Sequence, residues 1–472
     1  MKTNYNVLNI EAVKGKYRFT DEESFPDIFG IPLFEISDAL LEEIYYFRWS
    51  IYGKHITKTA DGYVVTEFLP KVPWAGKHNT IPCPAHHHFY EGRWIHNREI
   101  LSDYANFWFT PDATPRKYSF PAADSIYKTA QAWGDFSLPE ALYEKLKENY
   151  EGWEKSNKTE SGLFYQTDNR DGMELSISGN GIRPTINSYM YADALALFNI
   201  AKRCGRCDDA ALFENKAKEL RELINDTLWD SNAKFYKTLS ECNDYKIADV
   251  RELIGYIPWC YGIADEEKAE AWKFLRDENH FDAPYGPTTA ERCHPDFMKP
   301  HTHECWWNGP SWPFATSQTL GAMIEHIKSF DSPCIDRFDF YEILRRYAAS
   351  HFINEGGIKV PFIDENLHPF TGKWLARDIL QSQNPPRADR ERGKDYNHSS
   401  FCDIVIRGIA GVTLTDDEIS FNPIFDEHKV DFFCLDGIRY KDSFISIVFD
   451  KYGDKYKLGT GFHVFLNGKK FK

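Results

Sequence analysis

Residues 185–229 read TINSYMYADALALFNIAKRCGRCDDAALFENKAKELRELINDTLW. Both halves return apolar side chains at the three-to-four spacing of one helix face, and a short turn at Gly205 separates them. So short a connection predicts two antiparallel neighbours. Working outward, the same pattern fills SDALLEEIYYFRWSIYGKHI, where Ser37 is an N-cap candidate and Leu40, Ile44, Phe47 and Ile51 share a face. It recurs in NREILSDYANFWF, AADSIYKTAQAW, PEALYEKLKENYEGW, ADVRELIGYIPWCYG, DEEKAEAWKFLRD, GPSWPFATSQTLGAMIEHI, DRFDFYEILRRYAASHF and FCDIVIRGIAGV, about eleven helices in all. Loops rich in glycine, proline and aromatic residues recur about once per helix pair, which predicts a helical toroid with long loops at one end.

After Val412 the pattern becomes short β-branched and aromatic runs (EISFNPIF, KVDFFCLDGIRY, FISIVFD, FHVFLNGKKF) parted by Asp-Gly, Tyr-Gly and Asn-Gly turns. The expected fold is mainly α, with an extended N-terminal lead-in over residues 1–35, a helical catalytic domain over 36–412 and a small antiparallel β-sheet over 413–472. A hairpin-like stretch, ITKTADGYVVTEFLP, interrupts the helices near residues 56–70. No exact repeat is visible.

The 472 residues carry 56 basic and 71 acidic side chains, a net charge of −15, so neither nucleic acid nor an anionic membrane surface is an expected partner. No apolar run approaches the roughly 20 residues of a membrane span. The opening MKTNYNVLNIEAVKGKYRF lacks a basic flank and an apolar core, so a cytoplasmic protein is expected, although a trimmed chain reads the same. The ten cysteines form no short disulfide framework, and the single CxxC, Cys204 to Cys207, ends a helix without a second pair to complete a zinc site. Assembly state leaves no signature.

Four connections concentrate the unusual residues: PKVPWAGKHNTIPCPAHHHFYEGRW (70–94), DNRDGMELSISGNGIRPT (168–185), HTHECWWNGPSWPF (301–314) and VPFIDENLHPFTGKWLARD (360–378). Aromatic faces stack on pyranose rings while carboxylate, Arg and amide groups bind hydroxyls, so this composition suits a carbohydrate site. The candidate sugar-binding residues are Trp74, Glu91, Arg93, Trp94, Arg183, Trp306, Trp307, Asn308, Trp312, Trp374 and His398. Inverting glycoside hydrolysis needs one protonated carboxyl for the leaving oxygen and one carboxylate to activate water. Glu174 and Glu365 are the candidate pair, with Asp171 and Asp364 as their rivals.

Three of these segments, taken together, resemble glycoside hydrolase family 63 and its mannosylglycerate hydrolase-like relatives. DGMELS is similar to a Ser-Gly-aromatic-Asp-Asn-Ser motif whose acidic residue is the general acid, which places that role at Glu174. WWNGPSWPFATSQTL looks like a Trp-Arg-Gly-Pro-Val-Trp loop with Asn308 in place of Arg. DENLHPFTGKW looks like a Glu-X-Tyr-Asn-Pro-X-Thr-Gly segment whose Glu is the general base, placing that role at Glu365. Over residues from about 36 to 412 the resemblance implies an (α/α)6 barrel and inverting hydrolysis of an α-glycoside, without cofactor. Glu in place of Asp at 174 moves the acid by one methylene, and Asn308 removes a fixed fork of donors.

The residues alone also admit a polysaccharide lyase or phosphorylase on the same toroid, or a carbohydrate-binding barrel without catalysis. His86, His87 and His88, like His301 and His303, lack a ligand spacing such as HExxH and read as loop histidines or hydroxyl partners, so no metal is expected.

Overall fold

The computed structural model describes residues 5–17 and 30–471. Residues 18–29 of the expected lead-in, Pro26 among them, lie outside the described residues. Of the rest of the lead-in, Ile10–Lys16 is a helix capped by the Asn9 side chain and Leu33–Ile36 is a strand.

The segment 185–229 forms the pair its pattern predicts. Pro184 opens the helix Pro184–Arg203 in the first turn, where its missing N–H costs nothing. Gly205, at φ +68°, ends it, with Arg206 N–H donating to Ala201 O and Gly205 N–H to Lys202 O. The helix Cys207–Thr227 then runs back along it. The two differ in what they bury. Cys207–Thr227 buries one stripe, Ala210, Phe213, Ala217, Leu220 and Ile224, whereas Pro184–Arg203 buries nearly every residue to Ala201. A helix buried all round is an inner helix and one with a single apolar stripe is an outer one. Ala122–Trp133 and Pro313–Ser329 are of the inner kind, and Tyr143–Asn157 and Arg337–Ser350 of the outer kind.

Contacts between inner segments run from Ala85–Gly92 to Ala122–Trp133, Pro184–Arg203, Ile257–Cys260, Pro313–Ser329 and Cys402–Ile404, which touches Ala85–Gly92 again. Two expected helices are shorter or tighter than their patterns suggest. ADVRELIGYIPWCYG holds only a 3-10 turn, Leu253–Tyr256, and one α-turn, Ile257–Cys260; just before them, buried Glu252 accepts from the Ser178 N–H and hydroxyl. DEEKAEAWKFLRD coils as the 3-10 helix Glu266–Arg276. The histidine run, read as loop, lies in the helix Ala85–Gly92 with all three rings buried.

At the C-terminus, Phe432–Tyr440, Ser443–Asp450, Gly461–Leu466 and Lys469–Lys470 form an antiparallel sheet. Leu33–Ile36 completes its edge, Leu33 opposite Asp436 and Ile36 opposite Phe433. The hairpin expected near residues 56–70 pairs Ile56–Thr59 with Gly62–Val65. No helix among the described residues is long and apolar enough to cross a membrane.

Candidate active site

Three backbone bridges draw the distant motifs together. Trp307 N–H donates to Glu174 O at 3.0 Å, and Ser311 and Leu367 exchange N–H···O bonds of 3.0 and 2.9 Å. The loop 301–314 is therefore stitched to the loop 168–185 on one side and to 360–378 on the other. Between them lies a cavity of about 370 Å³ whose walls include Glu174, Glu365, Glu67, Trp74, Trp312 and Arg392.

The conformation of the loop 168–185 follows from its residues. Asp168–Asp171 is one 3-10 turn, ended by Gly172 at φ +73°. A Cβ at Gly172 would stand 2.3 Å from Cys83 Sγ, so the turn needs glycine on both counts. Leu175, directly after Glu174, also holds a left-handed φ of 59°, a conformation that costs a non-glycine residue and is maintained here beside the cavity. Asp171 does not line the cavity. Its carboxylate accepts from Ser119 Oγ and from Arg183 Nε, each at 2.6 Å. Arg183 also reaches Ser176 Oγ and Gly179 O, tying the loop to itself.

Burial pushes the Glu174 carboxyl up to about 8, and the negative charges of Glu365 and Asp168 add to the effect. At neutral pH it keeps its proton. Glu365 faces a counter-charge: Arg392 Nε lies 3.5 Å from its Oε1, and the Cys305 thiol donates to Oε2 at 3.1 Å. Arg392 is itself held by Glu304 at 2.5 Å and lies over the Trp74 ring at 4.9 Å. Asp364, the neighbour of Glu365, points away from the cavity and accepts the Glu365 N–H at 2.8 Å. Burial and the Glu365 charge raise its carboxyl to about 7.

Glu67 and Glu304 bring the carboxyls of the cavity wall to four. Burial first, then Glu365 and Glu174, push Glu67 well above the ordinary range, and its Oε1 lies 3.0 Å from Nε2 of His398. Burial pushes His398 well below its usual value.

Of the expected sugar-binding residues, Trp74, Trp312 and His398 line this cavity. Trp307 backs it, its ring stacked on Trp312 at 4.5 Å. Trp306 is buried against His301, and Asn308 donates to Asp296 O and Lys299 O. Trp374 donates to Phe352 O behind the base loop. Glu91, Arg93 and Trp94 form a separate buried group: Glu91 accepts the N–H groups of Phe401, Cys402 and Asp403, while Arg93 and Trp94 both donate to Asp403 Oδ1. Glu67, Cys305, Arg392 and Tyr396 are cavity residues that the sequence reading did not single out. Cys305 lies in the loop 301–314, and Arg392 sits in PPRADRERGKD, which reads as a solvated charge run.

Among the described residues, His280, Glu291 and Cys293 bring three donor atoms within 4.8 Å, away from the cavity. Arg251 already sits 2.8 Å from the same Glu291 oxygen and repels a second cation there.

Paired carboxyls in an aromatic cavity are the arrangement that glycoside hydrolysis requires. Residues 77–399 match the mannosylglycerate hydrolase MGH1-like glycoside hydrolase domain, and the chain belongs to that family. A solved protein named sialidase is 34% identical, with a TM-score of 0.90 over 99% of this chain and 44% of that one. The chain thus spans less than half of that relative's length. The family 63 mannosylglycerate hydrolase of Thermus thermophilus, solved with glucose, is 12% identical, with a TM-score of 0.55 over 76% of this chain and 98% of its own. The family 78 rhamnosidase of Bacillus sp. GL1 is 13% identical, with a TM-score of 0.58 over 89% of this chain and 40% of its own. At these last two identities the likeness is one of fold.

Proposed function

We propose that the chain hydrolyses an α-glycosidic bond of an oligosaccharide or small glycoside with inversion, on an (α/α)6 barrel. The closed cycle of six inner segments supports the barrel. One observation carries the chemistry: Glu174 and Glu365, far apart in sequence, share one cavity, and Glu174 is held protonated there. Glu174 gives its proton to the leaving oxygen as the glycosidic bond breaks. Glu365, its oxygens fixed by Arg392 and Cys305, takes a proton from the water that attacks the anomeric carbon on the opposite face. Trp74 and Trp312 supply stacking faces for the sugar, and His398 a hydroxyl partner. Membership of the mannosylglycerate hydrolase MGH1-like family supports a small glycoside or oligosaccharide as substrate.

The test is turnover of a glycoside panel by wild type, Glu174→Gln and Glu365→Gln, with the first-formed anomer read by proton NMR. Wild type should release the inverted anomer and both variants should lose about 10²–10⁴-fold in rate. Retention of configuration, or wild-type rates in either variant, overturns the assignment.

A further inference from the structure

Hydrolysis occupies two of the four carboxyls on the wall of the glutamate cavity. Of the other two, Glu304 is paired with Arg392 at 2.5 Å, whereas no lysine or arginine among the described residues pairs with Glu67. The backbone that carries Glu67 is fixed just after the strand Gly62–Val65, with Thr66 N–H donating to His55 O and Glu67 N–H to Asn79 O. Five rings of the same wall form a chain of contacts. Phe68 meets Trp74 at 6.0 Å and His398 at 4.9 Å, and Tyr396 meets His398 at 4.1 Å and Trp312 at 6.3 Å. Glu67 is set against the middle of this arc, its Oε1 3.0 Å from Nε2 of His398.

Packing alone does not account for this carboxyl. The side chain is 8% exposed, and its Oε2 is shut in without a hydrogen-bond partner. Burying a carboxyl with no cation beside it is costly, and an apolar or amide side chain would hold the arc at less cost. Groups held in this way cluster at functional sites, where a ligand completes them. With Oε2 closed off, Oε1 is the oxygen left for a ligand on the cavity side. A ring hydroxyl suits it, because a hydroxyl donates to a carboxylate and accepts from a carboxylic acid, and the bond forms whether or not the proton is present. Trp74 and Trp312, at the two ends of the arc, supply the stacking faces that a sugar beside Glu67 would use.

We propose that Glu67 selects the sugar: its Oε1 binds one ring hydroxyl of a pyranose lying along this arc, a role that rests on the glycosidase reading of the cavity and leaves bond cleavage to Glu174 and Glu365. The test is a thermodynamic cycle between one side chain and one hydroxyl. Methyl α-glycosides of D-glucose, D-mannose and L-rhamnose, with the monodeoxy derivatives of each, are titrated by calorimetry into Glu174→Gln, alone and combined with Glu67→Gln or Glu67→Ala. With Glu67 present, loss of one particular hydroxyl should weaken binding about tenfold or more. With Glu67→Ala the same loss should cost less than about twofold, and Glu67→Gln should fall between. Equal hydroxyl preferences with and without Glu67→Ala, or no saturable binding of any of the three sugars, overturn the proposal. Turnover of the p-nitrophenyl α-glycosides by the wild-type chain is read separately. A lost cycle with turnover intact counts against Glu67 alone, and a cycle without turnover counts against hydrolysis alone. Thermal melts separate this role from a structural one. Removing an unpaired buried carboxyl should leave Glu67→Gln melting at or above wild type at pH 7, and a fall of several degrees with hydroxyl preferences unchanged gives Glu67 to the fold and overturns the proposal.

Discussion

Arg183 Nε donates to Asp171 Oδ2 at 2.6 Å with neither side chain reached by solvent. The pair assigns Asp171 a structural post: it anchors the turn that presents Glu174. Burial raises the Asp171 carboxyl, Arg183 and Ser119 act in the opposite sense, and removing either partner leaves the other uncompensated. Breaking such a buried pair costs about 3–5 kcal/mol. Arg183→Ala should therefore melt well below wild type, with Asp171→Asn milder because the amide oxygen still accepts from Arg183. Thermal unfolding of both variants measures this, and equal melting temperatures would refute it.

The raised Glu174 carboxyl predicts a basic limb in the pH profile. As pH rises through about 8 the acid loses its proton and kcat/KM falls, and this limb should vanish in Glu174→Gln. Stability moves with the same proton. Unfolding returns Glu174 to an ordinary value of 4.5, so below that pH both states hold the proton. Between about 4.5 and 8 the unfolded state releases it first, and the folded state loses stability as pH rises. Glu174→Gln is free of this penalty. Its melting temperature relative to wild type should climb across that window and level off above it, which melts at a series of pH values will show.

The helices were legible because burial leaves periodicity behind: Phe213, Ala217, Leu220 and Ile224 mark an outer helix by spacing alone. That Glu174 and Glu365 belong together was legible because both sit in loops that concentrate glycine, aromatic residues and acid. Arg392 was not, because a buried guanidinium that counters Glu365 looks in sequence like any surface arginine, and only tertiary contact tells them apart. The histidine run at 86–88 misled in the opposite direction. Polar residues in a row suggest a loop, yet burial holds all three rings well below their usual protonation range, and as neutral groups they pack inside the ring.

Cys305 predicts a chemical vulnerability. Its sulfur lies 3.1 Å from Glu365 Oε2 and 3.7 Å from the Arg392 guanidinium, on the cavity wall. Burial and the Glu365 charge raise its thiol well above the ordinary range, so it reacts slowly with charged alkylating agents. A small neutral thiosulfonate such as methyl methanethiosulfonate should still reach it over time, leave a methylthio group on the sulfur as methanesulfinate departs, and displace Glu365. Activity should decay under the reagent, slow when sugar fills the cavity, and persist in Cys305→Ser. Equal decay in Cys305→Ser would assign the effect to another thiol, such as Cys83 in the same wall.

The last prediction concerns a glycine that needs no unusual backbone. A Cβ on Gly393 would stand 1.9 Å from Asp364 Oδ1, the oxygen that accepts the Glu365 N–H. Gly393→Ala must therefore push Asp364 aside, and with it the backbone that sets the position of Glu365. Arg392, the preceding residue, is displaced by the same strain. A shift of about 1 Å in a catalytic group can cost about 10²-fold in rate, whereas stability should change by less, because the pressure falls on one side chain. The expected signature is a large fall in kcat with a small change in melting temperature and in sugar affinity. Wild-type kcat in Gly393→Ala would show that Asp364 has no part in placing Glu365.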